Sequence, residues 1–287
     1  MDFLVNIEGK PKVRFLDDFR HNFAIALPHD PTRRQMTENE KKPSAASAFE
    51  NSAMTMRDAM RPQMTRDLAL TARQKMVDGQ VRTSDVTDIR ILDAMLALPR
   101  EEFVPDAKRA LAYLDLDLDV SASGAVKRFL IKPALTAKLL QAAELTDSDQ
   151  VLIVGAATGY AAALAAKLAW KVTAIESDPA LSAKATEILG KLGLGGNVTV
   201  RTAEAAAGDP AAAPFNTIIL NGATEVLPKA LFEQLKDGGR LLGVFAVNRP
   251  SRAAIVTRSH GDFGHRILFD AAAPVLPGLE RLPAFVF

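Results

Sequence analysis

The stretch VLIVGAATGYAAALAAKLAWKVTAIESD, Val151 to Asp178, decides how this chain is read. An apolar run, Val151–Val154, enters a loop of small residues, Gly155 to Gly159. An alanine-rich helical segment follows, then a second apolar run, Val172–Ile175, that ends in Glu176. Strand, glycine loop, helix, strand and terminal acid is the order in which a chain builds a nucleoside-cofactor site. Small loop residues let backbone N–H groups approach the ligand, the helix start faces it, and the acid accepts from ribose hydroxyls. The loop residues alone equally suit plain helix–strand packing. Glu176 adds weight to the cofactor reading, although Glu-Ser-Asp-Pro also suits a helix start, with Asp178 as cap and Pro179 at the first helical position.

The flanking sequence extends the pattern. Strands are expected near 151–154, 172–175, 198–201, 217–221 and 240–247, with helices near 160–169, 179–192 and 225–236. Such alternation predicts a mostly parallel sheet covered on both faces. The tail differs: Ala254–Arg258 and Arg266–Ala271 flank SHGDFGH, a hairpin turn, and Leu282–Phe287 reads as a last apolar strand. The expected fold is therefore α/β and Rossmann-like, with antiparallel C-terminal strands. Before the core, residues 66–83 read as a helix, Thr87 caps a second one running to Leu98, and a short helix reaches Tyr113. Another helix spans Pro133 to Glu144. Leu114–Asp119 (LDLDLD) alternates strictly and predicts a short edge strand with leucines inward, in preference to a metal-binding carboxylate cluster.

Residues 1–63 look unlike the rest. From about Asp30 to Gln63 the chain is polar, with Pro, Ser and Met scattered through it, which predicts a largely disordered extension. An upstream start codon explains it equally well, since Met54, Met56, Met60 and Met64 precede the ordered pattern. The domain expected after it covers 64–287, with a helical, substrate-side lead-in over 64–145 and the Rossmann-like core over 146–287.

Composition narrows the partners. The 287 residues are 48% hydrophobic and 24% charged, and 35 basic against 34 acidic side chains leave a net charge of +1. Nothing there points to nucleic acid or an anionic membrane. Zero cysteines exclude disulfides, thiolate metal sites and cysteine nucleophiles, and fit a reducing compartment. No apolar run approaches the about 20 residues of a membrane span. Glu8 and Lys10 interrupt the N-terminal apolar stretch, so no secretory signal is read and the expected location is cytoplasmic. Of the four histidines, His21 and His29 lie in the extension, and His260 and His265 flank the hairpin turn, where solvation is the ordinary state. No metal site is expected.

The loop spacing selects among cofactors. A dinucleotide loop needs Gly-x-Gly-x-x-Gly, whereas Gly155 and Gly159 are four apart with Ala157 between them. That spacing, the acid ending the second strand and the antiparallel tail fit S-adenosyl-L-methionine better than a nicotinamide cofactor.

At this point residues 73–287 resemble the protein-L-isoaspartate O-methyltransferase family, class I S-adenosylmethionine-dependent enzymes. MVDGQVRTSDVTDIRILDAMLALPREEFVP is similar to the family's N-terminal signature and AYLDLDL to the approach to its active-site loop. VLIVGAATGY is similar to its cofactor loop, and the run from Asn197 to Phe245 to its second half. The resemblance implies methyl transfer to the carboxylate of isoaspartyl residues in damaged protein, with S-adenosyl-L-methionine as cofactor and an isoaspartyl protein or peptide as partner. It implies cofactor contacts from Gly155, Ala157, Thr158, Gly159, Tyr160, Glu176, Glu204 (near the adenine) and Asn221. It assigns no catalytic residue here. The family's Thr-Ile-Ser-x-Pro stretch, whose hydroxyls hold the substrate carboxylate, reads Phe129, Leu130, Ile131, Lys132, Pro133 in this chain. Ile153 stands where the family has an acid, and Ala157 where it has a middle glycine. These departures keep two alternatives open: a different methyl acceptor, or a catalytically impaired member acting as a binding or regulatory module. A nicotinamide oxidoreductase is the least favoured.

Overall fold

The computed structural model describes residues 67–122 and 125–282. The expected extension, residues 1–63, and most of the expected last strand, 283–287, lie outside them. A helix, α1, covers 67–76 and runs on through a π turn, Val77–Val81, and a 3₁₀ turn, Arg82–Ser84. Next come α2 (Ile89–Ala97), a 3₁₀ turn (Arg100–Phe103) and another (Asp106–Leu111). Two short strands, β1 (Leu118–Asp119) and β2 (Phe129–Leu130), pair antiparallel and lead into α3 (Pro133–Ala143).

The core then alternates β3 (Gln150–Val154), α4 (Tyr160–Ala165), β4 (Lys171–Glu176), α5 (Pro179–Lys191) and β5 (Val198–Thr202). It continues with β6 (Phe215–Thr224), α6 (Lys229–Phe232), β7 (Leu235–Phe245), β8 (Arg252–Ser259) and β9 (Asp262–Asp270). The sheet order is β5-β4-β3-β6-β7-β8-β9. The first five strands in that order are parallel, and β8 and β9 run antiparallel to their neighbours. This matches the expected α/β architecture with an antiparallel end.

The period of two along each strand divides the core. Val151 and Ile153 face the side that holds α2, α3 and α4, whereas Leu152 and Val154 join Phe215, Ile218, Leu220, Leu231 and Leu241 on the other. β3 is apolar from Val151 to Val154 because both faces are covered. Reversal of the strand order at β3 leaves a crevice at the carboxyl ends of β3, β4 and β6, where α/β sheets hold their ligands.

Four expectations are corrected. Asp88, not Thr87, caps α2: its Oδ1 accepts from Arg90 N at 2.9 Å, while the Thr87 N–H is used by Gln141. LDLDLD forms a strand only at Leu118–Asp119, and Leu114 and Leu116 stay exposed. The partner strand runs out at that point: Lys132 N donates to the Asp117 side chain and Pro133 starts a helix. The helix expected over 225–236 contracts to Lys229–Phe232, because β6 runs on to Thr224, Pro228 intervenes and β7 begins at Leu235. α4 ends at Ala165 rather than Ala169.

Other expectations match. Asp178 caps α5 through bonds from Ala180 N and Leu181 N, with Pro179 at the first position. The SHGDFGH turn is a two-residue hairpin in which His260 and Gly261 both have positive φ (52° and 89°), the type I′ geometry that suits a twisted β-ribbon. His260 and His265 are exposed.

Strand packing is tight where β7 crosses β6. A Cβ added at Gly243 would lie 2.7 Å from Leu220 Cβ. Gly243→Ala is expected to cost about 1–3 kcal/mol by overpacking, read as a lower urea midpoint with an unchanged slope. An unshifted midpoint would mean the two strands separate freely.

Candidate functional site

Strand β3 ends at Val154, and the chain turns through Gly155 (φ 73°), Ala157 (φ 50°) and Gly159 (φ 97°) before α4. A positive φ is costly for any residue with a Cβ, so Ala157 carries strain that a glycine would not. Gly159 is needed for a second reason: a Cβ there would lie 3.2 Å from Ala185 Cβ, where α4 packs on α5. Four of the loop's N–H groups are engaged within the protein. Gly155 N and Ala156 N donate to Ile175 O, and Gly159 N to Ala156 O. Ala157 N donates to Glu176 Oε2 at 2.7 Å.

Glu176 ends β4 directly beside this loop and is fully buried. Arg128, on the loop before β2, grips it with two bonds: Nε to Oε1 at 2.8 Å and Nη2 to Oε2 at 2.5 Å. Asp178 N also donates to Oε1, at 3.2 Å. Both side chains of the pair are closed off, at 5% and 0% exposure. A carboxylate offers about four acceptor positions. Arg128 fills two of them, and Ala157 N, Asp178 N and, at 3.4 Å, the Ser177 hydroxyl share the rest.

A second side chain closes the crevice. Residues 271–282 cross the carboxyl end of β6 as a strap, pinned by Leu276 N to Ala223 O (2.9 Å), Ala223 N to Pro274 O (2.8 Å) and Glu225 N to Leu279 O (2.9 Å). The strap lays Leu276 over the glycine loop. A Cβ built on Gly155 would meet Leu276 Cδ2 at 2.4 Å and Arg128 Nη2 at 2.9 Å. The Cβ-side space at Gly155 is thus filled by Arg128 and Leu276.

The remaining expected residues distribute as follows. Asn221, at 4% exposure, donates Nδ2 to Gly155 O at 2.9 Å and so braces the loop from β6. Thr158 turns its hydroxyl to Phe103 O at 2.6 Å. Tyr160 points into the lead-in, edge-on to Phe103 and under Arg100, whose guanidinium carbon lies 4.7 Å from the ring centroid. Glu204 follows β5 and is exposed, with its carboxylate near Gly278 of the strap. Gly155, Ala157, Gly159, Glu176 and Asn221 therefore converge on one point, Thr158 and Tyr160 face the lead-in, and Glu204 stands at the rim.

Arg100 has the same kind of buried role in the lead-in. It is fully buried and donates Nε to Ala112 O (2.8 Å) and Nη2 to Ile131 O (2.7 Å). Burial pushes its guanidinium below its ordinary value and the Tyr160 phenol above its own. Arg100 thereby fixes the Phe129–Pro133 segment, in which Ile131 is core, at 2% exposure. Sequence reasoning passed over Arg100, Arg128 and Leu276. An arginine leading directly into apolar residues, Arg128-Phe129-Leu130, is the one signal that was available for Arg128.

Among the described residues no group of three or more His, Asp or Glu side chains is placed to hold a metal ion, and no helix is long and apolar enough to cross a membrane.

The sheet order, the glycine turn and the acid ending β4 define the class I methyltransferase fold, whose cofactor is S-adenosyl-L-methionine. A family model described as Protein-L-isoaspartate(D-aspartate) O-methyltransferase matches residues 71–264, and the chain belongs to that family of enzymes. It is 40% identical over 185 residues to protein-L-isoaspartate O-methyltransferase 2 of Anaeromyxobacter sp. (strain Fw109-5), covering 64% of this chain and 74% of the relative. It is 35% identical to the protein-L-isoaspartate O-methyltransferase of Rhodopseudomonas palustris (strain ATCC BAA-98 / CGA009), covering 71% of this chain and 93% of the relative. Among solved structures, a protein-L-isoaspartate O-methyltransferase superposes with a TM-score of 0.65 at 24% identity, over 72% of this chain and 67% of that one. A Plasmodium falciparum structure described as a protein-L-isoaspartate O-methyltransferase in complex with S-adenosyl-L-homocysteine superposes at 0.60 with 17% identity, over 72% and 97%. These two likenesses speak for the fold.

The short hairpin that carries Arg128 has its own electrostatic support. Burial pushes the Asp119 carboxyl up, but Lys127, the two Ser121 donors and Lys108 outweigh it and hold it well below the usual range. A depressed folded value stabilises the fold above the unfolded pKa of about 4 and stops doing so as pH falls through the folded value. Asp119→Asn is therefore expected to lower stability by a constant margin from pH 7 to about pH 5, with the margin shrinking below about pH 4. Urea titrations across that range test this, and a margin unchanged by acid would show that these contacts do not stabilise the hairpin.

Proposed function

We propose that this chain is an S-adenosyl-L-methionine-dependent methyltransferase that esterifies the carboxylate of isoaspartyl residues in damaged protein. One observation carries the reading: the glycine turn and Glu176 stand together at the switch point of a sheet inside an ordered family match that spans residues 71–264. The protein or peptide substrate follows from the family, as does a role in protein repair. A chain without cysteine fits a reducing cytoplasm. Cofactor contacts are proposed for Gly155, Ala157, Thr158, Gly159, Tyr160, Glu176, Glu204 and Asn221, with Glu176 on the ribose.

The chemistry asks little of side chains. The cofactor supplies an activated methyl group. A carboxylate is already ionised and nucleophilic at pH 7, with a reference pKa of about 4, so no general base is required. What the chain contributes is position and exclusion of water. Arg100 holds Ile131 O and so sets the acceptor-side segment, and Asn221 braces the loop at Gly155 O.

A second reading, a non-catalytic member acting as a binding or regulatory module, is favoured by one specific observation. Phe129 and Ile131 offer no hydroxyl to an acceptor carboxylate, and Ile131 is buried in the core. The two separate in one assay of the full chain with methyl-labelled cofactor and a peptide pair differing only in aspartyl or isoaspartyl linkage. Base-labile label on the isoaspartyl peptide alone is the expected result. Cofactor binding without label on either peptide favours the second reading.

A further inference from the structure

The least expected feature of the crevice is that the protein supplies its own occupant. A ribose would offer Glu176 two hydroxyl donors on neighbouring carbons. One edge of the Arg128 guanidinium offers two N–H donors, and both are spent on Glu176, one to each oxygen. The remaining acceptor capacity goes to Ala157 N, Asp178 N and, at 3.4 Å, the Ser177 hydroxyl, which hold the carboxylate whether or not Arg128 stays. Loss of Arg128 therefore frees the two positions a diol needs and leaves Glu176 hydrogen-bonded. Leu276 completes the plug by covering Gly155 from the strap.

We infer that Arg128 is an internal mimic of the cofactor's ribose diol, so that S-adenosyl ligands and Arg128 compete for the Glu176 carboxylate. The inference rests on the methyltransferase reading above, because it presumes that a nucleoside is the ligand. Departure of Arg128 is structurally modest. The strands that flank it pair over two residues each, and Arg128 has a long side chain whose own backbone bonds, to Ser121 and Val120, need not break. The strap is bonded to β6 at Ala223, whose O and N pair with Leu276 N and Pro274 O, and the Leu276 side chain can turn off Gly155 with those bonds kept. With the pair in place the affinity for cofactor is reduced by the fraction of molecules in which Arg128 holds Glu176.

The test is calorimetric titration of S-adenosylhomocysteine into the full chain and into Arg128→Ala, Arg128→Gln and Leu276→Ala. Arg128→Ala is expected to bind at least tenfold more tightly than the wild type, with Arg128→Gln between them and Leu276→Ala also tighter. A ligand lacking one ribose hydroxyl should lose most of the gain from Arg128→Ala, because the freed position then has no donor to accept from. Equal affinity of the wild type and both Arg128 variants would overturn the inference while leaving the methyltransferase reading intact. No binding by any folded variant at millimolar ligand would overturn both. Arg128→Gln, which keeps a hydrogen-bonding side chain at the position, carries the test if Arg128→Ala does not fold.

Discussion

The ion pair between Arg128 and Glu176 ties together parts of the chain that otherwise have separate duties. Glu176 belongs to the parallel sheet and Arg128 to the short hairpin before α3, and their bonds span a sequence separation of 48 residues. A carboxylate held at 0% exposure requires compensation, since burying an unpaired charge is costly. Arg128, Ala157 N and Asp178 N together provide it. The glycine turn, the start of α5 and the hairpin are thereby fixed to one group. The geometry of the crevice follows from that constraint.

The same group is the one we propose as the anchor of a nucleoside, and in that role stability and binding are set against each other. A site built to receive a ligand's donors has to leave acceptor capacity open. Here the capacity is filled, and Leu276 occupies the adjacent space over Gly155. Ala157, with φ 50°, keeps a left-handed turn although it has a Cβ. Ile153, at 0% exposure, adds apolar packing at a position where the family has an acid.

Much of the sheet was legible because buried parallel strands are local signals. Val151–Val154 and Val172–Ile175 are continuous apolar runs ended by glycine and by acid, and nothing distant is needed to recognise them. Asp178-Pro179 likewise declares a helix start on its own. LDLDLD was misleading because alternation specifies a strand only where a partner strand exists, and that partner ends at Pro133. The helix expected over 225–236 was misjudged for a related reason. Its apolar residues Leu231 and Phe232 do pack inward, but β6 and β7 take up the chain on either side.

By itself, then, the sequence determined the class of fold, the nucleoside-type turn at Gly155–Gly159, the acid at the end of the second core strand and the family. Each of these lives in neighbouring residues, in the period of a strand or in an ordered run of similar sequence. Only the tertiary structure decided what Glu176 bonds to, which way Tyr160 points and what lies over Gly155. Those outcomes depend on Arg128, Arg100 and Leu276 arriving from separate segments, and on the rule that a buried charge takes whichever donors the fold brings within reach.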